Sequence, residues 1–287
     1  MSRFRQIGRI AALGLASVSG AVFVCSNMRN TVLAKPVDYF ENDRDFRTRL
    51  AMMFRPSFSQ WDDNWDMCET TSRSKKKSKL TEDNVDNEPD IKPTAKRHLV
   101  FIRHAQYKDN EELDEKRILT ELGRIQADIT GQRLKDLNKP FTKIIVSDLV
   151  RAKETAEIIF KHLPDVPRES CSLLREGAPI PPEPPSSNWR PEQKKFFQDS
   201  ARIEAAFRKH VHRADTMQSG DTIEIYICHA NVIRYFICRA LQFPPEGWLR
   251  MSIGHCGITT MTIRPNGRIS LRSMGDTGHL PPEKITF

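Results

Sequence analysis

Residues 96–287 read as an α/β fold with three layers, a mostly parallel sheet carrying helices on both faces. Three observations predict it. The apolar runs Leu99–Ile102 and Ile144–Val146 and the segment Thr222–Cys228 each have the length of a buried strand. Each is followed by a turn and then by a stretch of helical periodicity, the alternation that builds parallel sheets. Each also ends on, or just before, a cationic or cationisable side chain: Arg103 with His104, Arg151, and His229.

The chain has 287 residues, room for one large domain or two small ones. Its hydrophobic content of 38% supports a globular core, though not in every segment. The net charge of +8 favours phosphorylated partners or an anionic membrane surface. Nucleic acid is not expected, because neither zinc-finger spacing nor an RRM-like aromatic motif is present. The six cysteines form no C-x-x-C pair, and most sit in apolar stretches. They read as reduced and buried, in a compartment that does not oxidise them. No N-x-S/T sequon occurs, which argues against secretion.

Three regions follow in order: 1–30, 31–95 and 96–287. The first contains Arg3, Arg5 and Arg9 and then the uncharged run Ile10–Met28. As a helix that run spans about 28 Å, close to the roughly 30 Å of a bilayer core. Ala12, Ala16 and Gly20 recur at the spacing that helix packing in lipid prefers. A cleaved secretory signal is the alternative. An arginine-rich, acid-free start with an uncleaved anchor fits a mitochondrial membrane better, the outer ahead of the inner. The second region holds "WDDNWD" (Trp61–Asp66) and a polar stretch from Cys68 to Thr94. That stretch reads as a disordered linker in which the basic run Arg73–Lys79 precedes an acidic one.

In the third region, Leu99–Ile102 is the first strand, with Arg103 and His104 at its tip. A helix follows in Leu119–Leu137, with Thr120 as N-cap and Leu122, Ile125, Ile129 and Leu134 as its apolar face. Ile144–Val146 is the next strand. Ser147 or Asp148 is expected to cap its helix, whose first turn carries Arg151. Thr222–Cys228 repeats the plan, with His229 at the tip and helix from Asn231 onward. In an open α/β sheet the ligand crevice lies beyond the carboxyl ends of the strands. Arg103, His104, Arg151 and His229 converge there into an anion pocket, and a phosphoryl group suits it because guanidiniums grip its oxygens bidentately. Any one of the four, taken alone, reads as structural; together at equivalent strand ends they read as a site.

These blocks resemble a known family. "RHAQY" is similar to the R-H-G signature of the histidine phosphatase (phosphoglycerate mutase-like) superfamily. "LTELGRIQA" and "SDLVRAKETA" resemble its next two blocks, and "CHANVIR" its second histidine block. More narrowly, "WDDNWD", "FPPEGWLR" and "IRPNGRISL" resemble the mitochondrial membrane-anchored branch, whose members are protein serine/threonine phosphatases. Ala105 replaces the usual glycine, and Asp63 the branch's proline.

The resemblance implies His104 as a nucleophile that becomes phosphohistidine, with Arg103, Arg151 and His229 on the phosphoryl oxygens. It implies Glu176, in "LLREGAPIP", as the acid/base; the alternative is a surface glutamate paired with Arg175. It also implies a homo-oligomer assembled through Trp61, Asp62, Trp65 and Asp66; the alternative is that this segment packs back on its own domain. No metal or other cofactor is expected, since arginines supply the charge and no histidine cluster has ligand spacing. The proline-rich stretch Pro179–Gln193 is expected to form an ordered rim. Phosphoserine and phosphothreonine proteins are the expected substrates. A small-molecule phosphomonoesterase or mutase, and a phosphoprotein-binding scaffold, are the competing readings.

Overall fold

The computed structural model describes residues 61–68, 92–187, 189 and 191–287. Six strands form one sheet: β1 (Arg97–Arg103), β2 (Lys143–Ser147), β3 (Arg168–Cys171), β4 (Thr222–Cys228), β5 (Ile258–Ile263) and β6 (Ile269–Asp276). Their order is β3-β2-β4-β1-β5-β6. Among the described residues four α-helices accompany them: α1 (Glu121–Asp136), α2 (Val150–Phe160), α3 (Gln193–His210) and α4 (Ala230–Ala240).

Alternation along β1 assigns the layers. Leu99 and Phe101 pack with Ile203 and Phe207 of α3 and with Val232 and Phe236 of α4. Val100 and Ile102 pack with Leu134 of α1 and Ala152, Ala156 and Ile159 of α2. Phe101 stacks on Tyr226 at 5.0 Å and meets the edge of Phe236 at 5.8 Å. Each such side chain, fully buried, contributes about 1.5–3 kcal/mol through transfer from water.

The sheet is mixed. β1, β2, β3 and β4 run parallel, whereas β5 is antiparallel to β1 and β6 antiparallel to β5. The β5–β6 connection is too short for a crossover helix. Gly267 turns it at φ +82°, a conformation that other residues resist. β4 lies between β1 and β2, so the carboxyl ends bearing Arg103, Ser147 and His229 stand side by side.

Several sequence expectations change in detail. The buried face of α1 is Gly123, Gln126, Ala127, Thr130, Gly131 and Leu134, while Ile125 is exposed. Leu134 joins the core beneath, while Gln126 on the same face donates to the Lys284 carbonyl and the Thr286 hydroxyl. A Cβ on Gly123 would run into the carbonyl oxygen of Gln106, so only glycine allows this approach. Thr120 does cap α1, its hydroxyl accepting from the Gly123 N–H at 3.0 Å. Neither Ser147 nor Asp148 caps α2; the N-cap residue is Leu149, and the Asp114 carboxylate accepts from the Val150 N–H at 3.2 Å. Ser147 is engaged elsewhere, as described below.

The segment 61–68 packs on its own domain. Trp65 is buried in the core formed with α3 and α4, and its indole N–H donates to the Gly267 carbonyl at 2.8 Å. Asp66 accepts from the guanidinium of Arg213 at 2.6 Å and from its backbone N–H at 2.8 Å. Burial alone would raise the Asp66 carboxyl; those bonds and the Arg213 charge outweigh it and hold the carboxyl below its ordinary value. Trp65 takes the alternative that the sequence left open, packing on its own domain, since it has enough apolar surface to be drawn into the nearest core. Asp62 and Asp63 remain exposed. Among the described residues no helix is long and apolar enough to cross a membrane. The span expected at Ile10–Met28 and residues 69–91 of the linker lie outside the described residues.

Candidate active site

The β1 tip delivers Arg103 and His104 together. The His104 N–H donates to the Cys228 carbonyl at 2.9 Å, and the Ala105 N–H to the Thr155 hydroxyl at 3.0 Å. Ala105 is absent from the residues with positive φ, so its methyl group brings no backbone strain. His104 is buried, and its Nδ1 lies 2.9 Å from the Ala105 carbonyl. A carbonyl only accepts, so Nδ1 carries the proton and Nε2 keeps its lone pair. Burial, then the neighbouring His229, Arg103 and Arg151, hold the imidazole well below its ordinary pKa. The ring is therefore neutral at pH 7.

The other three predicted groups surround it. His229, at the start of α4, sits 5.1 Å from His104 between ring centroids. Its Nε2 lies 2.8 Å from the Ser147 hydroxyl, and its pKa is pushed well down by burial and then by Arg151. Arg151 occupies the first turn of α2, where Asp114 accepts one guanidinium nitrogen at 2.8 Å. Its guanidinium also lies 5.0 Å from the Tyr107 ring, itself 5.0 Å from His104. Arg103 donates to the Ile253 carbonyl at 2.6 Å and faces His255 Nε2 at 3.0 Å. Both acceptors are neutral, and burial lowers the Arg103 pKa to about 10.

Four nitrogens in this pocket are buried with no protein partner among the described residues: Arg103 Nε, Arg151 Nε, His229 Nδ1 and Arg234 Nε. Buried polar nitrogens left unpaired are rare in folded proteins because each carries a desolvation cost of about 1–3 kcal/mol. Four in one place, three of them cationic, make a binding site for an anion with several oxygens. Among the described residues no group of three His, Cys, Asp or Glu side chains could hold a metal ion.

Glu176 belongs to the same pocket. It follows the short helical turn Ser172–Leu174 that β3 leads into. Burial raises its pKa, against the opposing pull of the Gly177 N–H, Arg151 and Arg103. One oxygen accepts from the Gly177 N–H at 3.0 Å. Arg175 does not pair with it but grips Asp148 at 2.5 and 2.6 Å. The loop is held by Arg202, which donates to the carbonyls of Leu173, Arg175 and Glu176. Beyond it, the rim is fixed to the helical turn Pro245–Arg250. Trp248 donates to the Ile180 carbonyl at 2.9 Å and Arg250 to that of Glu183 at 2.8 Å.

Sequence reasoning missed Tyr107, Asp114, Ser147, Arg234 and His255 as parts of the pocket. Arg234 carried a signal: it follows Asn231 by one turn of α4, and the helix start was already assigned to the site. His255 lay hidden because it precedes an antiparallel strand. The amino end of β5 meets the carboxyl end of β1, where Ile102 pairs with Ile258.

The family model of the histidine phosphatase superfamily (branch 1) matches residues 99–179 and 181–277. The mitochondrial serine/threonine-protein phosphatase PGAM5 of Rattus norvegicus is 49% identical over 290 residues, covering 99% of each chain. The protein of the same description from Caenorhabditis briggsae is 46% identical over 292 residues, covering 98% of this chain and 100% of its own. Among solved structures, Bacillus stearothermophilus YhfR matches the fold at a TM-score of 0.50 and 21% identity, covering 64% of this chain and 98% of its own. The strand-tip arginines and histidines, and the glutamate beside them, stand within the matched residues, and the chain belongs to branch 1 of the histidine phosphatase superfamily.

Proposed function

We propose that this chain is a mitochondrial protein phosphatase that hydrolyses phosphoserine and phosphothreonine through a phosphohistidine at His104. One observation carries the reading: a neutral histidine surrounded by four buried, unpartnered nitrogens. The names of the rat and nematode relatives support the substrate class and the organelle.

In the first step the Nε2 lone pair of His104 attacks phosphorus in line. The phosphorus–oxygen bond breaks as the N–P bond forms. The leaving serine or threonine alkoxide is a strong base and takes its proton from Glu176, whose raised pKa keeps that proton available. In the second step Glu176, now a carboxylate, removes a proton from water, whose oxygen attacks the phosphohistidine. Phosphate departs and Nε2 recovers its lone pair. Arg103, Arg151 and His229 hold the equatorial oxygens as charge builds.

The competing readings differ in substrate or in turnover. Comparing a phosphothreonine peptide panel with 3-phosphoglycerate tests both. The proposal expects peptide turnover and little phosphoglycerate turnover; the reverse, or no turnover at all, overturns it. Glu176→Gln is expected to slow phosphothreonine peptides by about 10²–10⁴-fold and p-nitrophenyl phosphate far less, since nitrophenolate leaves without a proton. Equal slowing would make Glu176 structural.

The proposal includes membrane anchoring through Ile10–Met28, supported by the length and neutrality of that run. It also includes a homo-oligomer in which Trp61, Asp62, Trp65 and Asp66 take part. In that oligomer the socket that receives Trp65 and Asp66 would take the same segment from another copy. Sedimentation of the wild type against Trp65→Ala/Asp66→Ala tests this; a wild-type monomer refutes it.

A further inference from the structure

Arg103 is aimed by a turn that no strand-tip logic anticipates. Residues Ile253–Gly257 wrap the end of β1. The Arg103 N–H faces the Gly257 carbonyl at 3.3 Å, and the Cys256 N–H donates to the Arg103 carbonyl at 3.1 Å. Cys256 adopts φ +56° although it is not glycine. Strain of this kind persists where the surroundings over-determine it, and it gathers at functional sites. Its effect here is to present the Ile253 carbonyl and the His255 ring to one guanidinium.

His255 is held from its other side. Its Nδ1 lies 2.8 Å from the Thr286 hydroxyl, and its backbone N–H donates to the Thr286 carbonyl at 2.8 Å. Arg103 has only donors, so His255 Nε2 accepts; Nδ1 then carries the proton and donates to Thr286. Burial and the Arg103 charge keep the ring neutral, with its pKa pushed down to about 3. Thr286 is fixed in turn by Gln126 of α1, whose amide donates to the Thr286 hydroxyl at 2.9 Å and to the Lys284 carbonyl at 2.7 Å. The same Gln126 accepts the Gln106 N–H at 2.9 Å, in the loop that follows His104.

We propose that His255 and Thr286 form a positioning relay that aims Arg103 at the phosphoryl group, with Gln126 tying the relay to the His104 loop; this rests on the phosphatase reading of the pocket. The chemistry explains the residue choice. A carboxylate would orient Arg103 equally well but would cancel its charge. A neutral imidazole locked in one tautomer orients the fork and leaves the whole positive charge for substrate, with Nε free to donate. The hydroxyl of Thr286 is the part that locks the tautomer.

The test uses the full chain, with turnover of a phosphothreonine peptide and calorimetric binding of inorganic phosphate measured in parallel. Thr286→Val, which keeps the shape and removes the hydroxyl, is expected to lower kcat/KM by about tenfold and to weaken phosphate binding. Thr286→Ser should restore both. His255→Gln, which offers an acceptor and a donor at the end of its side chain, should outperform His255→Phe. In an Arg103→Ala background the Thr286→Val change should have little further effect, which a merely structural role would not produce. Wild-type rate and phosphate affinity in Thr286→Val and His255→Phe would overturn the relay. So would an equal loss with and without Arg103. If the wild type turned over no phosphoester while phosphate affinity still followed the series, the relay would stand and the phosphatase reading would fall.

Discussion

Two regions of this molecule are built round buried arginines, and they treat the charge in opposite ways. In the dock for residues 61–68, Arg213 is almost wholly buried against Asp66, whose two oxygens take its Nε, a terminal nitrogen and its backbone N–H. In the strand-tip pocket, Arg103 meets only neutral acceptors and Arg151 shares one acid, and each keeps a buried Nε with no partner among the described residues. The dock satisfies its cation and becomes rigid. The pocket leaves cationic donors unsatisfied and becomes a receptor. Unmet hydrogen-bonding capacity, rather than charge or burial alone, separates the arginines proposed to grip the phosphoryl group from Arg213.

The largest test of this contrast is removal of the acid in the dock. Asp66→Ala strands a buried guanidinium and is expected to cost about 3–5 kcal/mol of stability, read as a fall in denaturation midpoint. The sign with pH follows from its depressed pKa: the stabilisation is present above the ordinary carboxyl pKa and is lost as pH falls through the lower folded value. A neutral Asp66→Ala would mean the two regions do not differ as described. Next, Arg103→Ala should lower kcat/KM by about 10²–10³-fold without a comparable loss of stability, because its Nε has no partner among the described residues. A large stability loss with modest rate loss would reverse the assignment.

Asp114→Asn gives a smaller and more specific effect. Asp114 both anchors Arg151 and caps α2. Its loss is expected to lower kcat by about tenfold while KM does not rise, since Arg151 loses its aim but gains free charge. A raised KM with unchanged kcat would contradict this. The smallest signal is spectroscopic. The His104 imidazole should stay neutral by nitrogen NMR as pH falls through 6.5, since burial and its cationic neighbours depress its pKa. Protonation near the ordinary value would mean that the pocket does not carry the potential assigned to it.

The legible parts of the fold and site were those fixed by local chemistry. Leu99–Ile102 and Thr222–Cys228 announced buried strands, and the polar residues just beyond them had to sit at the carboxyl ends of those strands. Thr120 was legible as a cap because capping is local, the hydroxyl reaching an N–H only three residues on. Ser147 misled, because a hydroxyl beside a helix start reads as a cap while a histidine distant in sequence takes it instead. Ile125 misled because α1 faces Gln106 and Lys284–Thr286, which want hydrogen bonds rather than apolar surface. Trp65 was ambiguous because an aromatic–acid segment has the composition of an interface whether its socket lies on another copy or on its own chain. His255 was illegible because the direction of β5 decides where it falls, and strand direction is a tertiary property.

The central claim is that His104 carries the phosphoryl group between substrate and water. The most direct measurement is to mix the wild type with a phosphothreonine peptide, quench in alkali within the first turnover, digest, and locate the modified residue by mass spectrometry. The account predicts an alkali-stable, acid-labile phosphoryl group on His104, absent from His104→Ala, which should also be inactive. A phosphoryl group on another residue, or full turnover by His104→Ala, would contradict it.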